Sequence, residues 1–537
     1  MSDFELRPLA RRRFLATAGA AAAATAVTGS PARAAARYTR YNVTSPQGQE
    51  MLRIYALAVE RMLALPPTHP HNWFRNAFVH FMDCPHGNWW FYVWHRGYIG
   101  YFEQTIRAVS GNSSFTLPYW DWTRLPRIPD AMFTGVLDPT SAAYARFTKN
   151  LAVFTDYIKP TLQSYWSTLT PAQLAQQKSR SFNTFTDLWN NMLAWDPTGK
   201  IASAGDIAFA PTCSARYLTR DNPAFNESTA KTCTPEVVLS GLYPIEFNDE
   251  KDVAKGFTSA RTASHNTPPT GRASFSILEG QPHNTIHNYI GGAGPLDYGP
   301  YGNMTNNLSP VDPIFFLHHS NMDRLWDVWT RKQQRIGQPF LPPDPAARAQ
   351  FLAEPFLFFV DGNGRFVTDG KAADYVSTAR FDYDYQPGFP EAGGLLNAQA
   401  ETQPLFRAPS SPARTITGTV NGNNSGTLSL PAPALRAAVG TAAASELTLE
   451  VTIVRPGSER IFDVVIDGAH VATISFFGPP MHGMAMPMET TFAVPLVRQA
   501  PGLLAATGGG GPLTVSVVPT QGRGVAPRLT ALAAVAR

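Results

Sequence analysis

His80-Phe-Met-Asp-Cys84-Pro-His86-Gly-Asn-Trp-Trp-Phe-Tyr-Val-Trp-His95-Arg96 sets three histidines among dense aromatic residues. A second group follows in two pieces. These are Glu279-Gly-Gln-Pro-His283-Asn284-Thr-Ile-His287 and Asp312-Pro-Ile-Phe-Phe-Leu-His318-His319, the latter running on to Asp323-Arg-Leu-Trp326. Neutral imidazole is the commonest transition-metal ligand near neutral pH. Two sets of three, with no matching set of thiolates, point to two nitrogen-ligated metals side by side. Imidazole-only ligation suits copper, zinc, iron or nickel. A pair of coppers is the leading reading and zinc the alternative.

Spacing says how each set forms. His283 and His287 are four apart on a helix predicted from Ile277 to Tyr289, so both point to one face. Asp312-Pro313 opens a further helix to about Lys332, which supplies His318 or His319. Neighbouring helical residues diverge by about 100°, so the two do not face one ion together. Asp323, four beyond His319, is expected to hold that ring by a hydrogen bond. His95 falls on a helix predicted from Trp89 to about Ala108. His80 and His86 read as part of a short irregular segment with Cys84 and Pro85. His69, His71, His265 and His470 read as ordinary surface or core residues.

The chain has 537 residues, 44% hydrophobic and 16% charged, with a net charge of +4. Large cores are possible and wholesale disorder is not expected. The basic residues form no stripe, so a nucleic-acid partner is not expected. Arg11-Arg12-Arg13-Phe14-Leu15 precedes an alanine-rich apolar run to about Val27, and Ala32-Arg33-Ala34 gives an A-x-A cleavage pattern. The paired arginines resemble a twin-arginine signal. Residues 1–36 are therefore read as a signal peptide and the product as exported, periplasmic or secreted. The run is too short to span a bilayer, and no membrane segment remains once it is removed. Cys213 and Cys233 are the disulfide candidates in an oxidising compartment. That leaves Cys84 as the odd thiol, inside the first histidine group.

A further helix is predicted at Pro46–Leu65; residues 130–270 are less regular, with helical pieces at Pro171–Lys178 and Phe185–Ala194 among many turn residues, and the composition changes near residue 387. Pro387-Gly-Phe-Pro-Glu-Ala-Gly-Gly394 then reads as linker. Beyond it, Leu447–Val454, Ile461–Ile466, Ala472–Phe477 and Leu513–Val518 read as short strands between Gly/Pro turns. The expected architecture is a mainly α catalytic domain at 37–386, a helical bundle holding a dicopper centre. A linker follows at 387–410, then an all-β, sandwich-like domain at 411–537.

With these residues in view, the chain resembles the type-3 copper proteins: tyrosinases, catechol oxidases and molluscan haemocyanins. His95-Arg96 with Glu103 is similar to the first-copper signature. Leu117-Pro-Tyr-Trp-Asp-Trp122 recurs in the family, and Asp312-Pro-x-Phe-x-x-x-His319-x-x-x-Asp323 is similar to the second-copper signature. The resemblance assigns His80, His86 and His95 to one copper, with His71 a rival for His80. It assigns His283, His287 and His319 to the other, and sets His318 behind the ligands. Cys84-Pro85-His86 resembles the element in which some members join cysteine sulfur to the histidine ring by a thioether. Glu279 and Asn284 match the positions that hold a water, a base for the phenol.

The resemblance also implies a function. The chain is expected to use O2 to hydroxylate monophenols at the ortho position and to oxidise o-diphenols to o-quinones, in melanin or other phenolic metabolism. Alternatives are a catechol or aminophenol oxidase without hydroxylation, a haemocyanin-like oxygen binder, and, more remotely, a zinc hydrolase. Tyr383-Asp384-Tyr385 and Glu459-Arg-Ile-Phe-Asp-Val-Val resemble elements of relatives whose C-terminal domain covers the copper pocket. Phe476 or Phe477 is then the expected plug of a latent enzyme, and cleavage between about 387 and 410 is expected to raise activity. Met481-His482-Gly-Met484-Ala-Met486-Pro-Met488 offers thioethers and an imidazole suited to Cu(I), a candidate copper-delivery loop. The oligomeric state is not legible.

Overall fold

Ser45 starts the first helix, its hydroxyl accepting from Gly48 N at 3.0 Å just ahead of Pro46. Both residue types suit a helix start: a side-chain acceptor for an orphan N–H, and a ring that fixes φ. The helices are α1 (Pro46–Ala64), α2 (Trp73–Asp83), α3 (Phe91–Ser110), α4 (Ala142–Thr148), α5 (Leu151–Ser167) and α6 (Pro171–Ser179). They continue as α7 (Phe185–Leu193), α8 (Glu227–Thr232), α9 (Pro235–Leu242), α10 (Asn284–Gly291), α11 (Ile314–Arg335) and α12 (Pro345–Ala353). The computed structural model describes residues 36–193, 216–267, 272–292, 302–391, 413–430, 447–456, 460–477, 489–496, 512–520, 522 and 524–536. Nearly all of the signal segment, Cys213, most of the 387–410 stretch and the Met481–Met488 loop lie outside these residues.

Helix α3 packs against α11 through Phe102 and Phe316, stacked 3.5 Å apart at 9°. Gly100 allows close approach on another face of α3, where an added Cβ would come within 2.3 Å of Phe381. Asp312 pins the start of α11. Its carboxylate accepts from Ile314 N at 3.0 Å and from Arg216 at 2.6 and 2.7 Å. One element departs from the sequence reading. His80 lies in the last turn of α2 rather than on irregular chain: the apolar stripe of Trp73, Phe74, Ala77, Phe78, Phe81 and Met82 carries the helix past it to Asp83, and Cys84 caps it.

The C-terminal part is a sandwich of two five-stranded sheets. One has the order β5-β6-β11-β8-β9: Thr419–Val420, Ser425–Ser429, Pro512–Pro519, Ile461–Ile466 and Ala469–Ser475. The other has the order β2-β10-β7-β12-β4: Arg272–Phe275, Glu489–Pro495, Leu447–Val454, Arg528–Ala536 and Arg414–Thr417. Leu449, Val451, Ile453, Phe462, Val464, Ile474 and Val515 fill the space between the sheets.

Strand β2 belongs to the helical part, yet it pairs in parallel with β10, from Arg272↔Glu489 to Phe275↔Phe492. The Phe275 and Phe492 rings stack at 5.4 Å. Gln281 Nε2 donates to Ala493 O at 3.2 Å, and Ala254 N to Glu450 Oε1 at 2.8 Å. A small apolar cluster of Val237, Val253, Ala254 and Ile277 with Ala493 and Val535 closes the seam. The two parts thus share a sheet and a core. At the other end of the helical part, β1 (Tyr38–Arg40) runs parallel to β3 (Tyr383–Tyr385).

Candidate metal centre

Three elements bring the first histidine set together. His80 comes from α2, His86 from the turn after it, and His95 from α3. Their ring centroids form a near-equilateral triangle, with sides of 5.4, 5.5 and 5.5 Å. Gly87 makes the turn at φ +66°, where an added Cβ would come within 3.3 Å of the Phe275 ring.

The second set rides on α10 and α11. The chain enters α10 through a π-helical turn, Glu279–His283, that contains Pro282. Such single π turns cluster at functional sites. The His283, His287 and His319 rings lie 4.6, 5.0 and 5.4 Å apart. His319 also stacks on His95 at 4.3 Å and 10°, which joins the two triads.

The hydrogen bonds fix which nitrogen faces inward. His80 Nδ1 meets Asn307 O at 2.7 Å, His95 Nδ1 meets Phe91 O at 2.7 Å, and His287 Nδ1 meets Met304 O at 2.8 Å. A carbonyl only accepts, so each Nδ1 carries the proton and each Nε2 keeps a lone pair. The same holds for His283, whose Nδ1 lies 2.8 Å from Asn284 Oδ1. The inward Nε2 atoms of His80 and His95 are 3.4 Å apart, and those of His287 and His319 are 3.2 Å apart. Imidazole ligands at about 2.0–2.1 Å in a tetrahedral shell sit about 3.4 Å from one another. Among the described residues, His86 Nε2 and His283 Nε2 are buried with no protein partner. Burial holds His80 and His283 down to about 3, and His86, His95, His287 and His319 well below the ordinary imidazole range. Neutral imidazole is the form that binds metal. The donor set therefore fits two copper ions.

Other expected roles come out differently. His71 is not part of the first set, since its Nε2 meets Asp361 O at 2.9 Å. His318 lies close to the second set, 5.4 Å from His283 and 5.0 Å from His287, with both ring nitrogens unpartnered among the described residues. Among the described residues it touches no ring of the first set, whereas His319 does. Asp323 does not hold His319. Its carboxylate accepts from Arg96 Nε at 2.6 Å, Arg40 Nη1 at 3.2 Å, Tyr385 OH at 2.5 Å and Tyr383 OH. Two buried arginines draw the carboxylate away from the ring. Cys84 Sγ lies 3.6 Å from His86 Nδ1, and burial pushes its thiol up to about 12. Cys233 is a free, buried thiol whose Sγ faces Ala230 O at 3.4 Å; Cys213, its expected partner, lies outside the described residues.

Glu279 and Asn284 are both fully buried but are not bonded to each other. Glu279 accepts from Gly87 N at 2.6 Å and Ser259 Oγ at 2.5 Å, and burial raises its carboxyl to about 8. It thereby ties the turn after His86 to the turn before His283. Asn284 Nδ2 donates to Ser475 O at 2.8 Å.

Of the two candidate plugs, only Phe477 faces the histidines, at 4.3 Å from His86, 4.7 Å from His287 and 5.6 Å from His283. Phe476 turns into the sandwich instead, 5.1 Å from Phe492. Sequence reasoning missed Asn288, whose Nδ2 donates to Phe476 O at 2.7 Å and also reaches Ser475 Oγ. It also missed His265, buried between Glu354 at 2.6 Å and Asp83 at 3.0 Å. The one available clue for Asn288 was its position directly after His287, matching Asn284 after His283.

The family model for the common central domain of tyrosinase matches residues 58–332. This chain belongs to the tyrosinase family. The match spans both triads, and the type-3 copper reading of the histidines follows from it. Among curated relatives, the chloroplastic polyphenol oxidase of Vitis vinifera is 25% identical over 356 residues, 63% of this chain and 46% of the relative. Tyrosinase HcTyr1 of Hahella sp. is 27% identical over 312 residues, 57% of this chain and 48% of the relative. The chain thus aligns with about half the length of these relatives. A solved structure titled as a recombinantly expressed latent aurone synthase (polyphenol oxidase) is 17% identical, with a TM-score of 0.54 over 93% of this chain and 89% of that one. That likeness extends the fold comparison beyond the tyrosinase core into the β sandwich. No helix among the described residues is long and apolar enough to cross a membrane.

Proposed function

We propose that this protein is a latent phenol oxidase that uses O2 to convert monophenols and o-diphenols to o-quinones. One observation carries the reading: six imidazoles converge as two joined triads, and an aromatic side chain lies directly on them. Two copper ions held by these triads would supply the redox couple between the phenol and O2. The overall change balances as one monophenol plus O2 giving one quinone and water, or two diphenols plus O2 giving two quinones and two waters.

The protein's own residues set the conditions. The Nδ1 bonds to Asn307, Phe91, Met304 and Asn284 hold the rings in one tautomer and orientation, so the site is organised before substrate arrives. The slot occupied by Phe477 has the size and shape of a phenol ring, and substrate enters as that ring leaves. Its departure frees Asn284 Nδ2 from Ser475 O. Asn284 and the Glu279 carboxyl, which ionises as pH rises through about 8, then anchor the water that takes the phenol's proton, which supports monophenol hydroxylation. Cys84, in contact with His86, is the residue for a thioether that fixes the His86 ring: the S–H and one ring C–H give way to an S–C bond, and O2 takes the two hydrogens as H2O2. An intact-mass loss of one pair of hydrogens would report that bond. Residues 1–36 direct export.

The test is oxygen uptake by copper-loaded Phe477→Ala protein, from which the covering ring is removed, with metal counted per chain and tyrosine compared with L-DOPA. Two coppers with turnover of both substrates is the expected result. Turnover of L-DOPA alone assigns a catechol oxidase, and reversible O2 binding without turnover assigns an oxygen carrier. Zinc in place of copper overturns the proposal.

A further inference from the structure

The two triads lean on different parts of the chain. In the first, His95 Nδ1 meets Phe91 O of its own helix at 2.7 Å, and His80 Nδ1 meets Asn307 O at 2.7 Å. Asn307 lies in a turn that holds itself, through Leu308 N to Asn306 Oδ1 at 2.6 Å and Ser309 N to Asn306 O at 2.9 Å. The second triad is supported from the C-terminal part. His287 Nδ1 meets Met304 O at 2.8 Å, and the next carbonyl along, Thr305 O, accepts from Arg460 Nη1. Arg460 is buried and directly precedes β8.

Thr305 is held twice. Gly291 lies four residues beyond His287, on the same face of α10. A Cβ added there would come within 2.8 Å of Thr305 N, so the Met304–Thr305 peptide rests on bare helix backbone. The Arg460 guanidinium grips the carbonyl that follows, and a charged donor makes a bond roughly twice as strong as a neutral one. Arg460 is itself fixed. Its carbonyl accepts from Phe476 N at 2.9 Å, and Ile461 beside it packs in the core of the helical part. Ile461 pairs with Ser475 across β8 and β9, and Ser475 O accepts from Asn284 Nδ2 at 2.8 Å. Asn284 Oδ1 in turn faces His283 Nδ1 at 2.8 Å. One strand pair thus backs two of the three ligands of the second set. Among the described residues it makes no hydrogen bond that orients a ligand of the first.

We propose that Arg460 is a positioning residue for the second metal, the C-terminal part acting as a brace that tightens binding at His283, His287 and His319 and leaves the first site unaffected. The inference rests on the two-copper reading of the triads. Groups behind the ligands fix ring orientation and so set metal affinity. Coupling between two events is reciprocal, so metal in the second site also holds the Arg460–Phe477 segment closed.

Cu(I) titration of the full-length chain against a chromogenic chelator tests this, with each site isolated in turn. His86→Ala disables the first site and His319→Ala the second. Adding Arg460→Met should weaken Cu(I) by about tenfold or more in the His86→Ala chain and leave the affinity of the His319→Ala chain as it was. A general loss of structure would weaken both. Hydrogen exchange over residues 460–477 gives a second measurement that needs no Arg460 variant. Exchange should slow when the parent takes up both metals, and stay at the metal-free rate in His319→Ala loaded at its first site. The brace is overturned if Arg460→Met affects both sites alike or neither, or, where that variant does not fold, if filling the first site alone slows the exchange as much as filling both. A parent chain that binds no pair of coppers overturns the reading beneath it as well.

Discussion

The Phe477 ring rests 4.3 Å from the His86 ring, tilted 35° to it, while its neighbour Phe476 points the other way onto Phe492. Adjacent residues on extended chain project to opposite sides. One therefore covers the histidines and the other anchors the segment in the sandwich. Phe477→Ala should raise oxygen uptake of the intact copper protein with bulky phenols by about tenfold or more, equivalent to removing a block of ~1.4 kcal/mol. Phe476→Ala should instead lower stability by about 3–5 kcal/mol, the usual cost of emptying a core phenylalanine site. Unfolding in denaturant separates the two. Equal uptake by the parent and Phe477→Ala would remove Phe477 as the gate.

Cutting the chain between about 387 and 410 is not expected to release the C-terminal part. Strand β2 stays paired with β10, and the Val237–Val535 cluster and the Asn284 and Asn288 bonds to the Ser475–Phe476 backbone stay in place. After trypsin, both fragments should co-elute in size-exclusion chromatography. Activity should then rise with mild denaturant or with Asn288→Ala, which loosens the plug segment. Separation of the fragments on cleavage alone would show the seam to be weak.

Asp323→Asn should cost about 3–5 kcal/mol, because it leaves buried Arg40 and Arg96 short of their shared counter-charge. Copper content measured below the unfolding transition should stay at the parent's value, since the carboxylate bonds neither triad. Lost copper in folded protein would restore the ligand-orienting role expected from its spacing.

His265 gives a pH dependence. Burial alone would lower its pKa, but Asp83 and Glu354 more than offset that and the net shift is upward. A raised value in the folded state means that its contribution is fully present below the unfolded imidazole value of about 6.5. The contribution is lost as pH rises through the raised folded value. Asp83 is also shifted: burial raises its carboxyl, the His265 charge and hydrogen bonds outweigh this, and the net direction is down. Its share is present above the ordinary aspartate value and is lost as pH falls through the lowered one. Melting temperature should fall as pH climbs through the His265 transition, and His265→Gln should flatten that slope. An unchanged slope in the variant would show that His265 is not the group whose titration sets it.

Much of the metal site was legible because ligand geometry leaves a trace in spacing. His283 and His287 at i and i+4 could only share a face, and His95 had a helix to itself. The strands Leu447–Val454 and Ile461–Ile466 were read at their observed bounds because they carry strong β-branched and apolar patterning. Other features left no such trace. Helix α2 has an apolar stripe from Trp73 to Met82 but is only eleven residues long and ends directly at Cys84-Pro85, so its last turn with His80 reads as part of the irregular segment. Asp323 sat at the right interval for His319, but interval says nothing of the arginines that arrive from α3 and β1. His265 is one histidine in an irregular stretch, and its carboxylates come from residues 83 and 354. Strand β2 has only four residues and borrows its partner from more than two hundred positions downstream. Nothing local distinguishes Phe476 from Phe477.

The shared sheet bears on how this protein can be produced. A gene trimmed after the helical part would leave Arg272–Phe275 as a bare backbone edge and strip Phe275 of the ring it stacks on. Such an edge invites strand addition from other copies. Trimmed material should therefore collect in inclusion bodies, and co-expressing the missing half as a separate polypeptide should return it to the supernatant.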